Sequence, residues 1–252
     1  MISSRHEGRV AVVTGAGSGI GQATVVRLVR EGAQVIGCDL NESGLATTTE
    51  QLGDLSPGVT LLAGDITDQE FVDHVVTSAG GRIDLLANVA GIMDHFVPLG
   101  DLDDELWERV IAVNLTAVMR MTRAVIPGMK AAGGGAIVTV GSKASTSGGT
   151  SGVAYTSSKH GVLGLVRHVA YFYAPDGIRS NAVLPGPVAT GIGASSAPSV
   201  PWAMERAMLS MATMGAMAEP DQIASAVSWL GSDEAANISG AILTSDGGWG
   251  AA

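Results

Sequence analysis

The stretch Arg9-Val-Ala-Val-Val-Thr-Gly-Ala-Gly-Ser-Gly-Ile-Gly21 decides the fold of this chain. Its first six residues form a short β-branched run, which predicts a buried strand that ends at the glycines. Apolar residues then follow helical spacing from 19 to 31 and stop at Gly32, so the glycine loop opens directly into a helix. Glycines between a strand and a helix N-terminus let backbone N–H groups approach a phosphate. The stretch therefore predicts a nucleotide-binding α/β unit.

Outward from this stretch, strand and helix patterns alternate along nearly the whole chain. Strands are predicted at 34–39, 59–63, 83–87, 136–140, 178–184 and 241–244, and helices at 42–52, 68–79, about 103–130, 153–174 and about 220–231. Such alternation requires parallel strands that are joined by right-handed crossovers. We therefore expect an α/β fold, a single Rossmann-like domain over residues 1–252 whose doubly wound parallel sheet has about seven strands with helices on both faces.

Composition and charge exclude several function classes. The chain has 24 acidic and 14 basic residues and a formal net charge of −10 at pH 7. A surface of this charge repels phosphate backbones and anionic lipid, so we expect neither a nucleic-acid partner nor a membrane partner. Cys38 is the only cysteine, which excludes an intrachain disulfide and fits a cytoplasmic protein. The histidines show no ligand spacing, so no metal site is expected.

The glycine loop and the end of the second strand together indicate the cofactor. The loop has the pattern G-x-x-x-G-x-G at Gly15, Gly19 and Gly21, which suits a pyrophosphate at the helix N-terminus. Asp39 ends the second predicted strand, where a carboxylate hydrogen-bonds the adenosine ribose of NAD and repels the 2′-phosphate of NADP. The loop contains no Arg or Lys, and the two residues after Asp39 are uncharged. We therefore expect NAD(H) to be preferred over NADP(H).

Tyr155 and Lys159 form a candidate proton-handling pair. Their spacing places both side chains on one face of a predicted helix. An isolated tyrosine titrates near ~10, and a neighbouring ammonium lowers its pKa towards the range of acid–base catalysis. The pair alone arises easily by chance, but Ser142 follows the strand 136–140 and Asn114 lies inside a long helix, where asparagine is a poor choice.

With these residues the chain resembles the short-chain dehydrogenase/reductase family, over nearly its whole length. The motifs that carry the resemblance are Thr14-Gly-x-x-x-Gly-x-Gly21, Asp65, Asn88-Val-Ala-Gly91, Asn114, Ser142, Tyr155-x-x-x-Lys159, Pro185-Gly186 and Asp246-Gly-Gly248. Two positions depart from the family pattern, since Val89 replaces the usual second asparagine and Gly141 replaces a frequent serine. Neither departure removes a catalytic side chain.

The resemblance implies a role for each of four catalytic residues. Tyr155 would exchange a proton with the substrate oxygen, which Ser142 would hydrogen-bond. Lys159 would lower the pKa of Tyr155 and hold the nicotinamide ribose. Asn114 would hold a water molecule that links Lys159 to solvent.

The loop and the resemblance together imply the cofactor and substrate contacts. The expected cofactor residues are Gly15, Ser18, Gly19, Ile20, Gly21, Asp39, Asp65, Ile66, Asn88, Ala90, Gly91, Tyr155, Lys159, Pro185, Gly186, Val188 and Thr190. Asp65 and Ile66 would meet the adenine. The expected substrate residues are Ser142, Tyr155, Met93 and His95, beneath a lid at about 187–215. The family also implies a homotetramer.

These observations predict an NAD-dependent oxidoreductase that interconverts a secondary alcohol and a ketone on a small apolar substrate. One alternative is a 3-oxoacyl-(acyl-carrier-protein) reductase, which Asp39 and the acidic charge disfavour, although Arg120 and Arg123 share a helix. Another is a non-catalytic NAD-binding sensor, which predicts loss of catalytic residues that are all present here. Methionines between Met204 and Met217 predict either an apolar helix face packed on the core or a partner, or an adaptable lid.

Overall fold

Seven parallel strands form one sheet in this computed structural model, which describes residues 4–194 and 200–251. The strands are β1 Val10–Thr14, β2 Gln34–Asp39, β3 Val59–Ala63, β4 Leu85–Asn88, β5 Gly135–Val140, β6 Ile178–Pro185 and β7 Ile242–Ser245. Their order across the sheet is β3-β2-β1-β4-β5-β6-β7. The chain reverses its direction of travel after β3, so a crevice opens between the carboxyl ends of β1 and β4. The prediction of a doubly wound parallel sheet is confirmed.

Helices cover both faces of this sheet. Within the described part of the chain they are α1 Gly19–Arg30, α2 Glu42–Leu52, α3 Gln69–Ser78, α4 Asp104–Ile111, α5 Ala117–Ala131, α6 Val153–Phe172, α7 Gly191–Ala194, α8 Pro201–Met211 and α9 Pro220–Gly231. A π-helical turn, Ala112–Thr116, joins α4 to α5. Strands and helices thus alternate through most of the chain, as a parallel sheet requires.

The period of two along each strand divides the core between the two faces. In β1, Ala11 and Val13 pack in the cluster formed with α1, α2 and α9, whereas Val12 packs in the cluster formed with α3 and α5. All three side chains are buried. A sheet that is covered on both faces leaves only the strand ends open to a ligand, so the loops after the strands carry the site.

Several boundaries differ by one or two residues from the sequence prediction, and one predicted helix is divided. The fourth strand begins at Leu85 instead of Ile83. The helix expected over about 103–130 is divided by the π-helical turn that contains Asn114. The side chain of Asn114 bonds the backbone of Ile92, a contact between distant segments that helical periodicity does not reveal.

The run Asp104–Ala131 is long and apolar enough to cross a membrane, judged by length and composition alone. Core helices of globular proteins pass the same test. Here Met121, Val125 and Met129 are buried against the sheet, and Asn114 is fully buried in the π-helical turn. We interpret the run as a helix that covers the sheet.

The lid expected at 187–215 leaves the sheet after β6 and contains α7 and α8. Residues 195–199 of this segment lie outside the described residues. A parallel bridge between Val188 and Ala218 joins the two ends of the excursion. The buried residues of α8 are Ala203 and Ala207, so this helix presents little apolar surface to the core.

The methionines of the lid do not form one buried helix face. Helix α8 ends at Met211, so Met214 and Met217 lie beyond it. Met208, Met214 and Met217 are exposed. The prediction of a single helical face packed on the core of this chain is therefore wrong, whereas an adaptable lid and a face packed on a partner remain predictions.

Candidate active site

The glycine loop brings backbone donors to the amino end of α1. A Cβ atom built on Gly21 would overlap the carbonyl oxygen of Gly15, and Gly15 itself has a φ of +74°. Both positions therefore require glycine. Helix α1 has no acidic residue in its first turn, and within the described chain Ser18 makes no side-chain capping bond. The positive end of the helix dipole is thus available to an anion.

The carboxylate of Asp39 is fixed beside this loop at the end of β2. One of its oxygens accepts a hydrogen bond from the backbone N–H of Gly17 at 2.9 Å, and the other accepts one from Asn41 N–H at 2.8 Å. A Cβ on Gly17 would lie 3.0 Å from the carboxylate carbon. The loop and the acid are therefore packed against each other, and the negative charge stays on the cavity wall.

An open cavity of about 610 Å³ lies over the carboxyl ends of the strands. The expected cofactor residues that line it are Gly15, Ser18, Gly19, Ile20, Gly21, Asp39, Asp65, Ile66, Ala90, Gly91 and Thr190. The expected substrate residues Met93 and His95 line it as well. The structure thus brings together most of the residues that were predicted from separate motifs.

The lining residues that sequence reasoning missed include Arg109 and Val113. They lie one helical turn apart, just before Asn114. Their spacing places them on one face of the predicted helix, which was the available signal. Arg109 is exposed and brings a positive charge to the cavity from the side of α4.

Asn88 supports the sheet and does not line the cavity. It is buried, and its side-chain amide donates to the hydroxyl oxygens of Thr122 at 3.3 Å and Thr139 at 3.5 Å. These bonds join β4 to α5 and β5. The resemblance implied both a brace and a cofactor contact for Asn88, and the structure supports the brace.

Thr14 joins the first and fourth strands, a role that sequence reasoning missed. Its hydroxyl oxygen accepts hydrogen bonds from the backbone N–H groups of Val89 at 3.0 Å and Ala90 at 3.1 Å. The two loops that face each other across the crevice are thereby held together. Threonine at the end of a strand was the only sequence signal.

The segment after β6 reaches the glycine loop at Thr190. A Cβ on Gly19 would lie 2.9 Å from the methyl carbon of Thr190. Pro185, Gly186 and Val188 do not line the cavity in the described structure. A Cβ on Gly186 would lie 2.8 Å from the Cβ of Asp246, so this segment is packed against the end of β7.

Tyr155, Ser142 and Lys159 converge where β5 ends. Both Tyr155 and Lys159 are buried. The side chain of Ser142 lies near enough to the phenol of Tyr155 to oppose the rise in its pKa. The Nζ atom of Lys159 lies 5.6 Å from the centre of the Tyr155 ring and donates to the carbonyl of Val140 at 3.0 Å. The predicted pair and its serine are therefore neighbours in space.

Asn114 completes this cluster from the π-helical turn. Its Oδ1 accepts from Ile92 N–H at 2.8 Å, and its Nδ2 donates to Ile92 C=O at 2.9 Å and to the Ser158 hydroxyl oxygen at 3.2 Å. A Cβ on Gly91 would lie 3.3 Å from Asn114 Oδ1 and 3.4 Å from Lys159 Nζ. The four predicted catalytic residues thus share one site.

Burial dominates the pKa values of the catalytic pair. Burial raises the pKa of Tyr155 to about 12, a shift that the hydrogen bond from Ser142 opposes and the charge of Asp94 increases. Burial lowers the pKa of Lys159 to about 8. The lowered tyrosine pKa that the resemblance implies is therefore absent from the chain by itself, because removal of the phenolate from water outweighs local stabilisation.

Other reactive side chains do not form a second centre within the described residues. No group of three or more His, Cys, Asp or Glu side chains converges as a metal site requires. Cys38 is buried beside Asp39, and burial raises the pKa of its thiol to about 12. A thiol with such a pKa is a poor nucleophile.

Comparison with protein families and curated proteins gives a consistent result. The family model described as Enoyl-(Acyl carrier protein) reductase matches residues 15–250. The chain is 38% identical over 259 residues to 3beta-hydroxysteroid dehydrogenase 2 of Eggerthella lenta, with 100% of both chains covered. It is 40% identical to short chain dehydrogenase adrF of Penicillium roqueforti, with 95% of this chain and 96% of that protein covered.

Solved structures share the fold. Levodione reductase superposes with a TM-score of 0.90 at 31% identity, over 98% of this chain and 100% of that one. A Beutenbergia cavernae protein, described as an NAD(P) dependent gluconate 5-dehydrogenase with bound NADP, has a TM-score of 0.87 at 34% identity, with 99% and 100% covered. Fold, site and relatives agree: the chain belongs to the short-chain dehydrogenase/reductase family of oxidoreductases, which use a nicotinamide dinucleotide and act on small molecules.

Proposed function

We propose that this chain is an NAD-dependent enzyme that interconverts a secondary alcohol and a ketone on a small apolar molecule. The observation that carries the proposal is the convergence of Ser142, Tyr155, Lys159 and Asn114 beside a cavity built for a dinucleotide. A non-catalytic sensor would not need a buried lysine next to a buried tyrosine, because burying either group costs free energy.

The residues of the cavity fit a nicotinamide dinucleotide. Close packing at Gly15 and Gly21 and the uncapped start of α1 suit a pyrophosphate, while Asp65 and Ile66 line the expected adenine end. Lys159 would hold the nicotinamide ribose. When bound, the nicotinamide supplies the hydride acceptor or donor that the protein side chains lack.

The side chains of the chain handle the proton. In the oxidation direction Tyr155 accepts the proton of the substrate hydroxyl, and Ser142 hydrogen-bonds the same oxygen. Lys159 is mostly an ammonium at pH 7, because burial lowers its pKa only to about 8. The raised pKa of Tyr155 would fall if the positive charge of an oxidised nicotinamide lay near its ring. We therefore expect Tyr155 to act as a base only in the complex with oxidised cofactor.

Proton exchange with solvent would run through Asn114. Its amide is held by both backbone groups of Ile92, and the side chain lies close to Gly91 and Lys159. A water molecule on this amide would connect the Lys159 ammonium to solvent. This is the relay that the family resemblance implies.

The preference for NAD follows from Asp39. Both carboxylate oxygens accept backbone hydrogen bonds, so the charge is fixed where the adenosine ribose would lie. A 2′-phosphate would meet this charge at short range, which is unfavourable in a partly buried site. Arg109 lines the same cavity from α4. Within the described residues it forms no ion pair with Asp39, so it does not neutralise the carboxylate.

An apolar substrate is favoured by the walls beyond the cofactor region. Ile92, Met93 and Ile192 line the cavity on this side. A relative that matches the whole chain is named for a 3beta-hydroxysteroid, which is an apolar secondary alcohol. Methionine and isoleucine fit such surfaces without demanding one shape.

A second candidate is a reductase of carrier-bound 3-oxoacyl groups. It is favoured by the description of the matching family model, which names an acyl carrier protein. It would use mainly NADPH, which Asp39 disfavours. A 3-oxoacyl thioester, tested with NADPH and with NADH, separates the two candidates.

We also propose a cytoplasmic homotetramer whose subunits pair through α5 and α6. Helix α6 ends in an exposed aromatic group, in which His168 stacks on Phe172 with ring centres 4.3 Å apart. Tyr171 is 79% exposed and contacts Phe172 edge-on. Exposed aromatic clusters of this kind commonly lie in interfaces. Light scattering that gave a monomer at micromolar concentration would contradict this assembly.

The decisive experiment follows NAD(P)H absorbance at 340 nm with a panel of secondary alcohols, ketones, hydroxysteroids and 3-oxoacyl thioesters. We expect turnover with NAD(H) and an apolar alcohol or ketone. Tyr155→Phe should lower kcat by about 10²- to 10⁴-fold, the usual contribution of a positioned acid or base, and leave the Kd for NAD within about twofold. Tyr173→Phe, which changes a partly buried tyrosine at the carboxyl end of the same helix, is the matched control.

Two results would reject the proposal. Absence of turnover with every member of the panel would contradict an alcohol dehydrogenase. Full activity in Tyr155→Phe would contradict the assigned role of the phenol and favour the sensor alternative.

A further inference from the structure

Asp94 is a fully buried carboxylate beside the catalytic tyrosine, and it belongs to none of the family motifs. Its Oδ1 accepts hydrogen bonds from the Ser151 hydroxyl at 3.2 Å and from Gly152 N–H at 3.0 Å. Its Oδ2 accepts from Tyr155 N–H at 2.8 Å. Asp94 therefore caps the first turn of α6, although it is distant from that helix in sequence.

The loop that carries Asp94 is joined to the start of α6 by close backbone packing. A Cβ on Gly152 would lie 2.5 Å from both Asp94 Oδ2 and Val97 N, so only glycine fits there. Val153 N–H donates to the Val97 carbonyl at 3.0 Å. The loop 92–97 is thus packed directly against the amino end of α6.

The middle of the same loop has an unfavourable backbone conformation. His95 and Phe96 have φ angles of 53° and 56°. These angles lie in the left-handed region, which residues other than glycine rarely adopt. Strain of this kind persists only where the surrounding structure enforces it, and it is concentrated at functional sites. His95 lines the cavity, so the strained residues form part of its wall.

This wall is bonded to the proposed catalytic residues at two points. Asn114 holds both backbone groups of Ile92 at its start. Asp94, two residues further along, holds the backbone of Tyr155. A displacement of the substrate wall is therefore transmitted to the catalytic cluster through two short hydrogen-bonded paths.

Asp94 has no cationic partner among the described residues. The salt bridges of the described chain do not include it. Its charge is balanced by the three donors and by the positive end of the α6 dipole. The titratable groups near the Tyr155 ring are Lys159 on α6 and Asp94 on the loop. A buried carboxylate is expensive, so its presence here needs a positional reason.

We propose that Asp94 is a positioning residue that couples the substrate wall, residues 92–97, to the catalytic Tyr155. It holds the tyrosine backbone and the strained His95–Phe96 turn in one geometry, so the proton acceptor and the wall are placed together. The inference rests on the proposed alcohol–ketone reaction, and it assigns a residue outside the catalytic four.

Asp94→Asn and Asp94→Ala test the coupling. In Asp94→Asn the side chain keeps its shape but loses its charge, and its NH₂ group faces one of the three hydrogen-bond donors. In Asp94→Ala all three hydrogen bonds to the carboxylate are lost. We expect kcat to fall about 10- to 100-fold, because a misplaced catalytic group costs rate in this range, and the Kd for NAD to stay within about twofold. Loss of the negative charge should also move the rising limb of the oxidation pH–rate profile to lower pH, since that charge helps to raise the pKa of Tyr155.

Asp84→Asn is the matched control. Asp84 is also a buried carboxylate that accepts a backbone hydrogen bond, from Val10 N–H at 2.9 Å, but it precedes β4 and so lies at the amino ends of the strands, opposite the site. This control should lower the melting temperature without moving the pH–rate profile. An equal shift of the profile in both variants would overturn the proposal, because the effect would then come from general destabilisation.

Hydrogen exchange provides a readout that needs no substrate. In Asp94→Asn and Asp94→Ala, amides of 92–97 and of 152–156 should lose protection together, whereas the glycine loop 15–21 keeps it. Unchanged protection in both segments, or wild-type kcat and pH–rate profile in Asp94→Asn, would overturn the coupling. If the wild-type chain turns over no substrate, the proposed function fails on its own, and exchange still decides the coupling.

Discussion

The cofactor cradle, formed by the glycine loop with the ends of β2 and β4, lies next to the lid at 187–215, yet the two are built differently. In the cradle, backbone meets backbone, so Gly21 leaves no room for a side chain. In the lid, helix α8 buries Ala203 and Ala207 but leaves Leu209 65% exposed. We therefore expect the cradle to accept one ligand shape and the lid to repack around different substrates.

This difference explains which part of the function can be inferred. A dinucleotide is recognised by a geometry that any family member must reproduce. If the lid covers the substrate, as proposed, a few side chains on the exposed helix α8 would recognise it, and those are free to differ. We expect changes in the cradle to be severe and specific to the cofactor, and changes in the lid to be mild and specific to the substrate.

Among substitutions that compare the cradle with the lid, we expect the largest effect from Gly21→Ala. A Cβ at this position would overlap the Gly15 carbonyl, so the loop must shift and the pyrophosphate donors move with it. We expect the Kd for NAD, measured by isothermal titration calorimetry, to rise about 100-fold, a typical result of misplacing binding groups by about 1 Å. Gly164→Ala in α6, where a Cβ meets nothing within 4 Å, is the control. Normal NAD binding in Gly21→Ala would show that the cradle is not rigid.

Asp39→Ala should change cofactor choice within the same region. Removal of the fixed carboxylate loses charge-assisted hydrogen bonds to the NAD ribose and relieves repulsion of a 2′-phosphate. We expect the ratio of kcat/KM for NAD to that for NADP to fall about 10- to 100-fold, which corresponds to the usual strength of such bonds. Asp65→Asn, at the adenine end, should weaken both cofactors equally. An unchanged ratio in Asp39→Ala would remove the basis for the NAD preference.

The burial of Lys159 predicts that the free energy of unfolding depends on pH. Burial lowers its pKa to about 8 in the folded chain, whereas an unfolded lysine titrates near ~10.4. Between these pH values the unfolded chain binds the extra proton, so the free energy of unfolding rises with pH relative to Lys159→Met. Urea unfolding without cofactor should show a gain of about 1 kcal/mol per pH unit from pH 8 to 10.

Lys130→Met serves as the exposed control for this measurement. Lys130 is half-exposed and pairs with Asp176 at the surface. Its difference from wild type should stay constant over the same pH range. If the difference in free energy of unfolding between Lys159→Met and wild type were also constant, water would have to reach the Lys159 ammonium in the folded chain.

The smallest expected effect belongs to the lid. The Ser210 hydroxyl donates to the Gly149 carbonyl at 2.7 Å and so joins α8 to the loop that follows Ser142. In Ser210→Ala we expect KM for the alcohol to rise about 3- to 10-fold, in line with one neutral hydrogen bond, and the Kd for NAD to stay within about twofold. Leu209→Ser, an exposed neighbour, should change stability by less than about 0.5 kcal/mol. Equal loss of NAD and substrate affinity in Ser210→Ala would mean that lid and cradle act as one unit.

Much of the site could be predicted from local patterns. The alternation of Ala11, Val12 and Val13 between two cores, and the glycine spacing after them, depend only on residues that are adjacent in sequence. The spacing of Tyr155 and Lys159 is equally local. Ser142 could be placed because parallel strands bring their carboxyl ends to one edge of the sheet.

Other parts could not be predicted because they depend on contacts between distant segments. Asn114 was recognised as unusual in a helix, but neither its π-helical turn nor its bonds to Ile92 could be foreseen, since Ile92 lies on a distant segment. The capping of α6 by Asp94 has no local signal, since donor and acceptor lie on different elements. One of the two interpretations of the methionine pattern was a single packed helix face, yet the helix stops at Met211.

The sequence by itself determined the alternation of strands and helices along the chain and the glycine loop, because periodicity and spacing are local properties, and its family resemblance supplied four candidate catalytic residues. Only the tertiary structure decided the protonation behaviour of the site. Spacing predicted a lowered pKa for Tyr155, whereas burial raises it to about 12 in the chain alone. The physical reason is that a pKa depends on how much water surrounds the group, and residues from many parts of the chain together remove that water.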